Sequence, residues 1–192
     1  ELSHISIYRK MKDEKSAQAL SLEDDALFTG QLGAVLSSPA MQLCPDNPTL
    51  VLLSRVNRYV DKATAAVTET SHLYPVYSAT TAHAYVINLE AAIRLLKLLY
   101  PVWMVADKWC LFEEYGAIKL LAVHPAPVLL HDLAQQTTIQ HFSDVAQHSQ
   151  QKRDIWAGLM ARPPFSVRLR HPYRRALLPL RPPLVSIHPR AA

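Results

Sequence analysis

Leu2-Ser3-His4-Ile5-Ser6-Ile7-Tyr8-Arg9-Lys10 decides how the chain is read. Ile5 and Ile7 fall on one side of an extended segment, and His4, Ser6, Tyr8 and Lys10 on the other. That period of two predicts a short half-buried strand. From Lys12 to Leu27 the pattern relaxes into helix formers, with Ala17, Leu20 and Leu27 on one side. Gly30, Gly33 and Ser37-Ser38-Pro39 mark loops or helix ends.

Further along, Cys44-Pro45-Asp46-Asn47-Pro48 reads as a turn, and Asp46 or Asn47 is placed to cap a helix. Leu53, Val56, Val60, Ala63 and Val67 recur at helical spacing, which predicts an amphipathic helix over about 49–69. Tyr74 to Ile87 has the β-branched and aromatic content of extended chain, with room for one or two short strands. Asn88 is placed to cap the next helix, with Leu89, Ile93, Leu96 and Tyr100 as its buried stripe. Asp107 is expected to cap another, running to about Val123, and Thr138 to open a further one. The expected fold class is mainly α with a short N-terminal strand.

The 192 residues are 49% apolar and 19% charged, a globular composition. Four glycines against 14 prolines leave no Gly-rich phosphate cradle. The net charge is +4, from 20 basic and 16 acidic residues. Seven arginines and no acid lie from Arg162 onward, so residues 1–161 keep 13 basic groups against 16 acidic ones, a net of −3. The chain therefore reads as a helical globular domain over 1–161 and a basic Pro/Arg-rich arm over 162–192. Arg168, Arg170, Arg174 and Arg175 in that arm are candidate phosphate contacts, because the guanidinium fork matches phosphate oxygens. Phe165, Val167 and Leu169 mark the arm as more than a polycation, and the alternatives are that it packs across its own acidic body or a symmetry mate, or drapes over a partner chain.

Chemistry-bearing patterns are sparse. His124, His131, His141 and His148 have no carboxylate or cysteine partners at metal-ligand spacing. Asp107, Glu113 and Glu114 read as a cap and a polar face, and no nucleophile elbow appears. The expectation is a chain that is not an enzyme and needs no cofactor. No segment reads as a signal peptide or a membrane span, so a soluble cytoplasmic protein is expected.

The order of segments resembles the AcaB-like regulators of integrating conjugative elements and conjugative plasmids. The likeness is carried by Ile5-Ser6-Ile7 leading into Ala17-Gln18-Ala19-Leu20, and by Asp46-Asn47-Pro48 before Leu52-Leu53. Ala84-Tyr85-Val86-Ile87-Asn88-Leu89-Glu90-Ala91, Glu114-Tyr115-Gly116-Ala117-Ile118 and the Gln- and Ala-rich stretch near 139–153 continue it. The resemblance implies a ribbon-helix-helix-like homodimer that regulates transfer genes and binds double-stranded DNA. His4, Ser6, Tyr8 and Lys10 would then contact bases, and Arg9 and Lys12 phosphates. The competing expectation is a structural or interaction subunit of a secretion or transfer apparatus.

Overall fold

In the computed structural model the described residues are 2–100, 102–105, 107–130, 154, 157–158, 165–176 and 182–187. The chain divides into two compact units, residues 1–131 with 180–192, and residues 132–179.

The first unit opens with helix α1 (Leu2–Glu14), where a strand was expected. His4, Ile5, Tyr8 and Met11 are buried, and their spacing of three and four residues is the period of a helix. The alternation of Ile5 and Ile7 misleads because His4 and Tyr8 count as polar, yet both face inward. Ser6, Arg9, Lys10 and Lys12 lie outside this buried stripe. Helix α1 ends where Lys15 takes a φ of 53° and Ser16 N–H reaches back to the Met11 carbonyl at 2.9 Å. That left-handed residue followed by a backward hydrogen bond is a common helix stop.

The rest of the unit is built on an eight-stranded sheet, so the chain is mixed α/β rather than mainly α. Strands β1 (Gln18–Leu22), β3 (Thr49–Leu52), β4 (Arg58–Val60), β6 (His72–Ser78), β7 (Ala84–Asn88), β8 (Lys119–His124) and β10 (Leu184–Ser186) lie in the order β1-β7-β3-β8-β6-β4-β10. Strand β5 (Ala65–Ala66) pairs with β6 off this path. The β3–β8 pair is parallel and its neighbours are antiparallel. Strands β2 (Ala26–Phe28) and β9 (Val128–Leu130) form a separate antiparallel ribbon.

The expected helix over 49–69 is instead β3, β4 and β5. All four residues of β3, Thr49-Leu50-Val51-Leu52, are buried. A strand covered on both faces reads as a continuous apolar run, which periodicity alone cannot separate from a buried helix. Helices α1, α3 (Leu89–Leu99) and α4 (Trp109–Glu114) provide one covering layer, with Tyr85 of β7 against the Trp109 ring at 5.2 Å. On the other side Val35 of helix α2 (Leu32–Leu36), Met41 and Val128 cluster with Val51, Val86, Leu121 and Val123.

Asn88 does cap α3, accepting from Ala91 N–H at 3.0 Å. The buried stripe of α3 is Ala91, Ala92, Leu95 and Leu99. Asp107 is no cap: Lys108 occupies that position at the start of α4. The α4 segment ends at Gly116, whose φ of 76° suits glycine, and β8 follows. Part of the expected C-terminal arm is sheet, since Leu184–Ser186 pairs with β4. In the second unit, Phe165–Ala176 forms helix α5 with Pro172 inside it, where extended chain was expected. The helix predicted from Thr138 falls outside the described residues.

Candidate functional site

The parallel strands β3 and β8 end at the same edge of the sheet, because Leu52 pairs with Ala122. Ligands of α/β sheets gather beyond the carboxyl ends of such strands. At this edge β1 and β7 finish their pairing at Leu22 and Ala84. The next residue on each side is titratable, Glu23 after β1 and His83 before β7. Glu23 N–H donates to the His83 carbonyl at 2.8 Å, fixing the two against each other. A tight turn follows, closed by Ala26 N–H on the Glu23 carbonyl at 3.2 Å, and it brings Asp25 to the same place.

One atom each from Glu23, Asp25 and His83 lie within 4.8 Å of one another, and all three side chains are half-buried. His83 Nδ1 donates to Glu23 Oε2 at 2.9 Å and lies 3.2 Å from Asp25 Oδ1. The second contact is an ion pair without hydrogen-bond alignment, which leaves Asp25 Oδ1 buried with no hydrogen-bond partner. Behind the cluster, His4 Nε2 stands 3.6 Å from Glu23 Oε1. His4 Nδ1 meets the Tyr85 hydroxyl at 2.6 Å, and Tyr8 adds its own hydroxyl at 3.2 Å. Such a bond through one ring nitrogen orients the other toward Glu23.

The His4 and His83 rings beside Glu23 hold its carboxyl down at about 2. Glu23, helped by Asp25, raises the His83 imidazole above its usual value against the opposing effect of burial. Both shifts become stability. The Glu23 contribution is present above its unfolded value near 4.5 and fades as pH falls toward 2. The His83 contribution is present below its unfolded value of 6.5 and fades as pH rises through its folded value. The metal-free protein is therefore expected to melt highest between about pH 4.5 and 6.5. Glu23 is 36% exposed, so solvent screening limits the change to a few degrees. Melting curves across pH check this, and Glu23→Gln should flatten both limbs.

Nearby, Leu53 N–H donates to the Ala84 carbonyl at 3.0 Å, which places Ser54 level with His83. Ser54 Oγ and Thr81 Oγ1 are 3.2 Å apart, and Thr81 Oγ1 donates to the Arg55 carbonyl at 3.1 Å. Trp109 Nε1 donates to the Thr81 carbonyl at 2.8 Å, tying this hydroxyl rim to α4. Asp107, just before α4, keeps a buried Oδ1 without a hydrogen bond, 3.6 Å from Lys108 Nζ.

Of the residues singled out from sequence, only His4 and Tyr8 enter this constellation, from a helix and facing inward. Ser6 and Lys10 lie outside it on α1, and Lys10 pairs with Glu14 at 3.9 Å. Arg9 and Lys12 line a separate cleft. Arg168 and Arg170 are exposed on α5, and Arg174 and Arg175 belong to the same helix. Glu23, Asp25 and His83 were not anticipated. Their one local signal is Glu23-Asp24-Asp25, three acids between the apolar runs Ala19–Leu22 and Ala26–Phe28.

The first unit is thus an α/β sheet with two carboxylates and an imidazole gathered beyond its strand ends. The family model for glycosyltransferase family 25, described as LPS biosynthesis protein, matches residues 1–110. That is more than half of the 192 residues and includes the whole cluster. The chain belongs to glycosyltransferase family 25. Comparison with curated proteins gave no match.

This membership overturns the resemblance to AcaB-like regulators and with it the transcriptional role on double-stranded DNA. The competing assignment to a secretion or transfer apparatus falls too, as does the expectation of a chain that is not an enzyme. The segments that carried the resemblance have ordinary physical causes. Ile5-Ser6-Ile7 is helical, so no N-terminal ribbon forms from it. Ala84–Ala91 is a strand entering an Asn-capped helix, a common α/β junction. Among the described residues, no helix is long and apolar enough to cross a membrane.

Proposed function

We propose that this protein transfers a sugar from a nucleoside diphosphate sugar to a saccharide acceptor, with Glu23, Asp25 and His83 forming the donor diphosphate end of the site. The observation that carries the reading is the buried, hydrogen-bond-free Asp25 Oδ1 facing a second carboxylate and an imidazole. The family match over the same residues supports it.

Two carboxylates and one imidazole suit a divalent cation of the magnesium or manganese type, which favours hard oxygen donors. A Glu23 carboxylate oxygen, Asp25 Oδ1 and, once it has given up the proton it donates to Glu23, His83 Nδ1 would hold it. When bound, such a cation neutralises the charge that develops on a diphosphate leaving group. In the reaction, an acceptor hydroxyl oxygen bonds to the anomeric carbon as the bond from that carbon to the phosphate oxygen breaks. The nucleoside diphosphate departs and the hydroxyl proton is released.

The chain's own residues prepare this site. The Glu23-to-His83 backbone bond fixes the spacing of the cluster, and His4, held by Tyr85, sets the Glu23 carboxylate. The Ser54 and Thr81 hydroxyls offer donors and acceptors for the donor's sugar hydroxyls. Arg55, half-buried beside Ser54, is the basic group adjacent to this rim in sequence. The "LPS biosynthesis" of the family description suggests a lipopolysaccharide-type acceptor.

Incubation with a panel of nucleoside diphosphate sugars and manganese tests the proposal. Release of nucleoside diphosphate from at least one donor, abolished by chelation, is the expected result. No turnover of any donor, with or without cation and acceptor, would count against it.

A further inference from the structure

Between helices α1 and α3 lies an open, shallow cleft of about 420 Å³ lined by Arg9, Lys12, Asp13, Leu96, Lys97 and Tyr100. Three cations and one acid give it a net charge of +2. On the same two helices, cations outside the cleft have acid partners one turn away: Lys10 with Glu14 at 3.9 Å, and Arg94 with Glu90 at 2.7 Å. Arg9, Lys12 and Lys97 have no carboxylate within 4 Å among the described residues, although Asp13 lies one turn from Arg9.

Arg9 is held differently. Its guanidinium carbon sits 4.9 Å from the centre of the Tyr100 ring, which is itself 64% exposed. Stacking on a ring face restrains the guanidinium while leaving its N–H donors free at the edge of the group. A fixed fork with two lysines from facing helices suits a tetrahedral oxyanion, bound in two places by arginine and by point charge from each lysine.

We infer that this cleft is a binding site for a phosphate group, separate from the Glu23–Asp25–His83 cluster. The chemistry is that of a phosphate monoester or diester, carried by a phosphorylated saccharide or by a lipid headgroup. The inference does not depend on the transferase reading, since it rests only on groups of α1 and α3.

NMR titration of the protein with inorganic phosphate, and sedimentation with phosphatidylglycerol or phosphatidylcholine vesicles, test it together. Saturable shifts centred on Arg9, Lys12 and Lys97 are expected with phosphate. Lys97→Gln should weaken binding about tenfold, and Tyr100→Ala should weaken it several-fold by freeing Arg9. Lys10→Gln removes the same charge outside the cleft and should change affinity less than twofold. Binding to phosphatidylglycerol vesicles alone, with the same dependence on Lys97, also supports the site and identifies a lipid headgroup as the source. Equal loss in Lys10→Gln and Lys97→Gln means diffuse surface charge and overturns the inference, as does the lack of saturable binding to either probe.

Discussion

Asp25→Asn is expected to lower nucleoside diphosphate sugar turnover by roughly 10²–10³-fold, about 3–4 kcal/mol of transition-state stabilisation, with a fall of no more than a few degrees in melting temperature. The substitution keeps shape and one carbonyl oxygen but removes the charge. Asp25 Oδ1 makes no aligned hydrogen bond and only one partly exposed ion pair, with His83 at 3.2 Å, so the fold loses that modest contribution when the charge goes. A ligand or cation waiting on that oxygen loses its strongest electrostatic partner. Glu23→Gln should be comparably damaging to activity and also change the pH profile of stability, because Glu23 is tied to both histidines. His4→Ala acts one step further out and should cost about 10–100-fold, seen mainly as weaker cation affinity. Steady-state kinetics at several manganese concentrations, with melting curves of each variant, separate these outcomes. Full activity in Asp25→Asn would remove the cluster from the chemistry.

Asn88→Ala is expected to destabilise the protein by about 3 kcal/mol or more, enough to lower the melting temperature by at least several degrees. Asn88 is fully buried at the junction of β7 and α3. Its Oδ1 accepts from Thr49 N–H and Ala91 N–H, each at 3.0 Å. Its Nδ2 donates to the carbonyls of Cys44 at 2.8 Å and Asn47 at 2.6 Å. Removing one side chain thus strands the Thr49 and Ala91 N–H groups at the start of β3 and the α3 cap. It also takes one donor from each of two carbonyls: Cys44 keeps Asn47 N–H at 3.3 Å, and Asn47 keeps Thr49 Oγ1 at 3.0 Å. Asn88→Asp keeps the two accepted bonds and loses the two donated ones, so it should be damaging as well. Chemical denaturation of both variants measures this, and a loss under 1 kcal/mol for Asn88→Ala would show that water replaces the amide.

These two sites differ in how visible they are in sequence. The Asn88 cap is local: an extended Ala84-Tyr85-Val86-Ile87 run meets a good capping residue and then helix formers. Such a junction is readable because its cause lies within a few residues. The N-terminal helix was hidden by two polar residues that face inward, His4 and Tyr8, whose partner Tyr85 is 81 and 77 positions away. Strand β3 was hidden for the opposite reason, being apolar on both faces. A strand over 2–10 and a helix over 49–69 leave no place for a large sheet.

The functional cluster is harder still. Glu23 and His83 are 60 residues apart and meet only because β1 pairs with β7 in one register, with Leu22 opposite Ala84. The acid triplet at 23–25 is visible, but a triplet of acids is usually a solvated turn. What makes it chemical is the imidazole delivered from another strand and the burial of Asp25 Oδ1. Neither follows from local spacing.

On the proposed function, Glu23, Asp25 and His83 bind a nucleoside diphosphate through a divalent cation. Calorimetric titration of the protein with uridine, guanosine, adenosine and cytidine diphosphates, with manganese and with chelator, tests it most directly. At least one diphosphate should bind with manganese, bind at least tenfold more weakly under chelation, and fail to bind Asp25→Asn. Binding that is indifferent to both manganese and Asp25, or no binding of any diphosphate, would remove Glu23, Asp25 and His83 from donor binding.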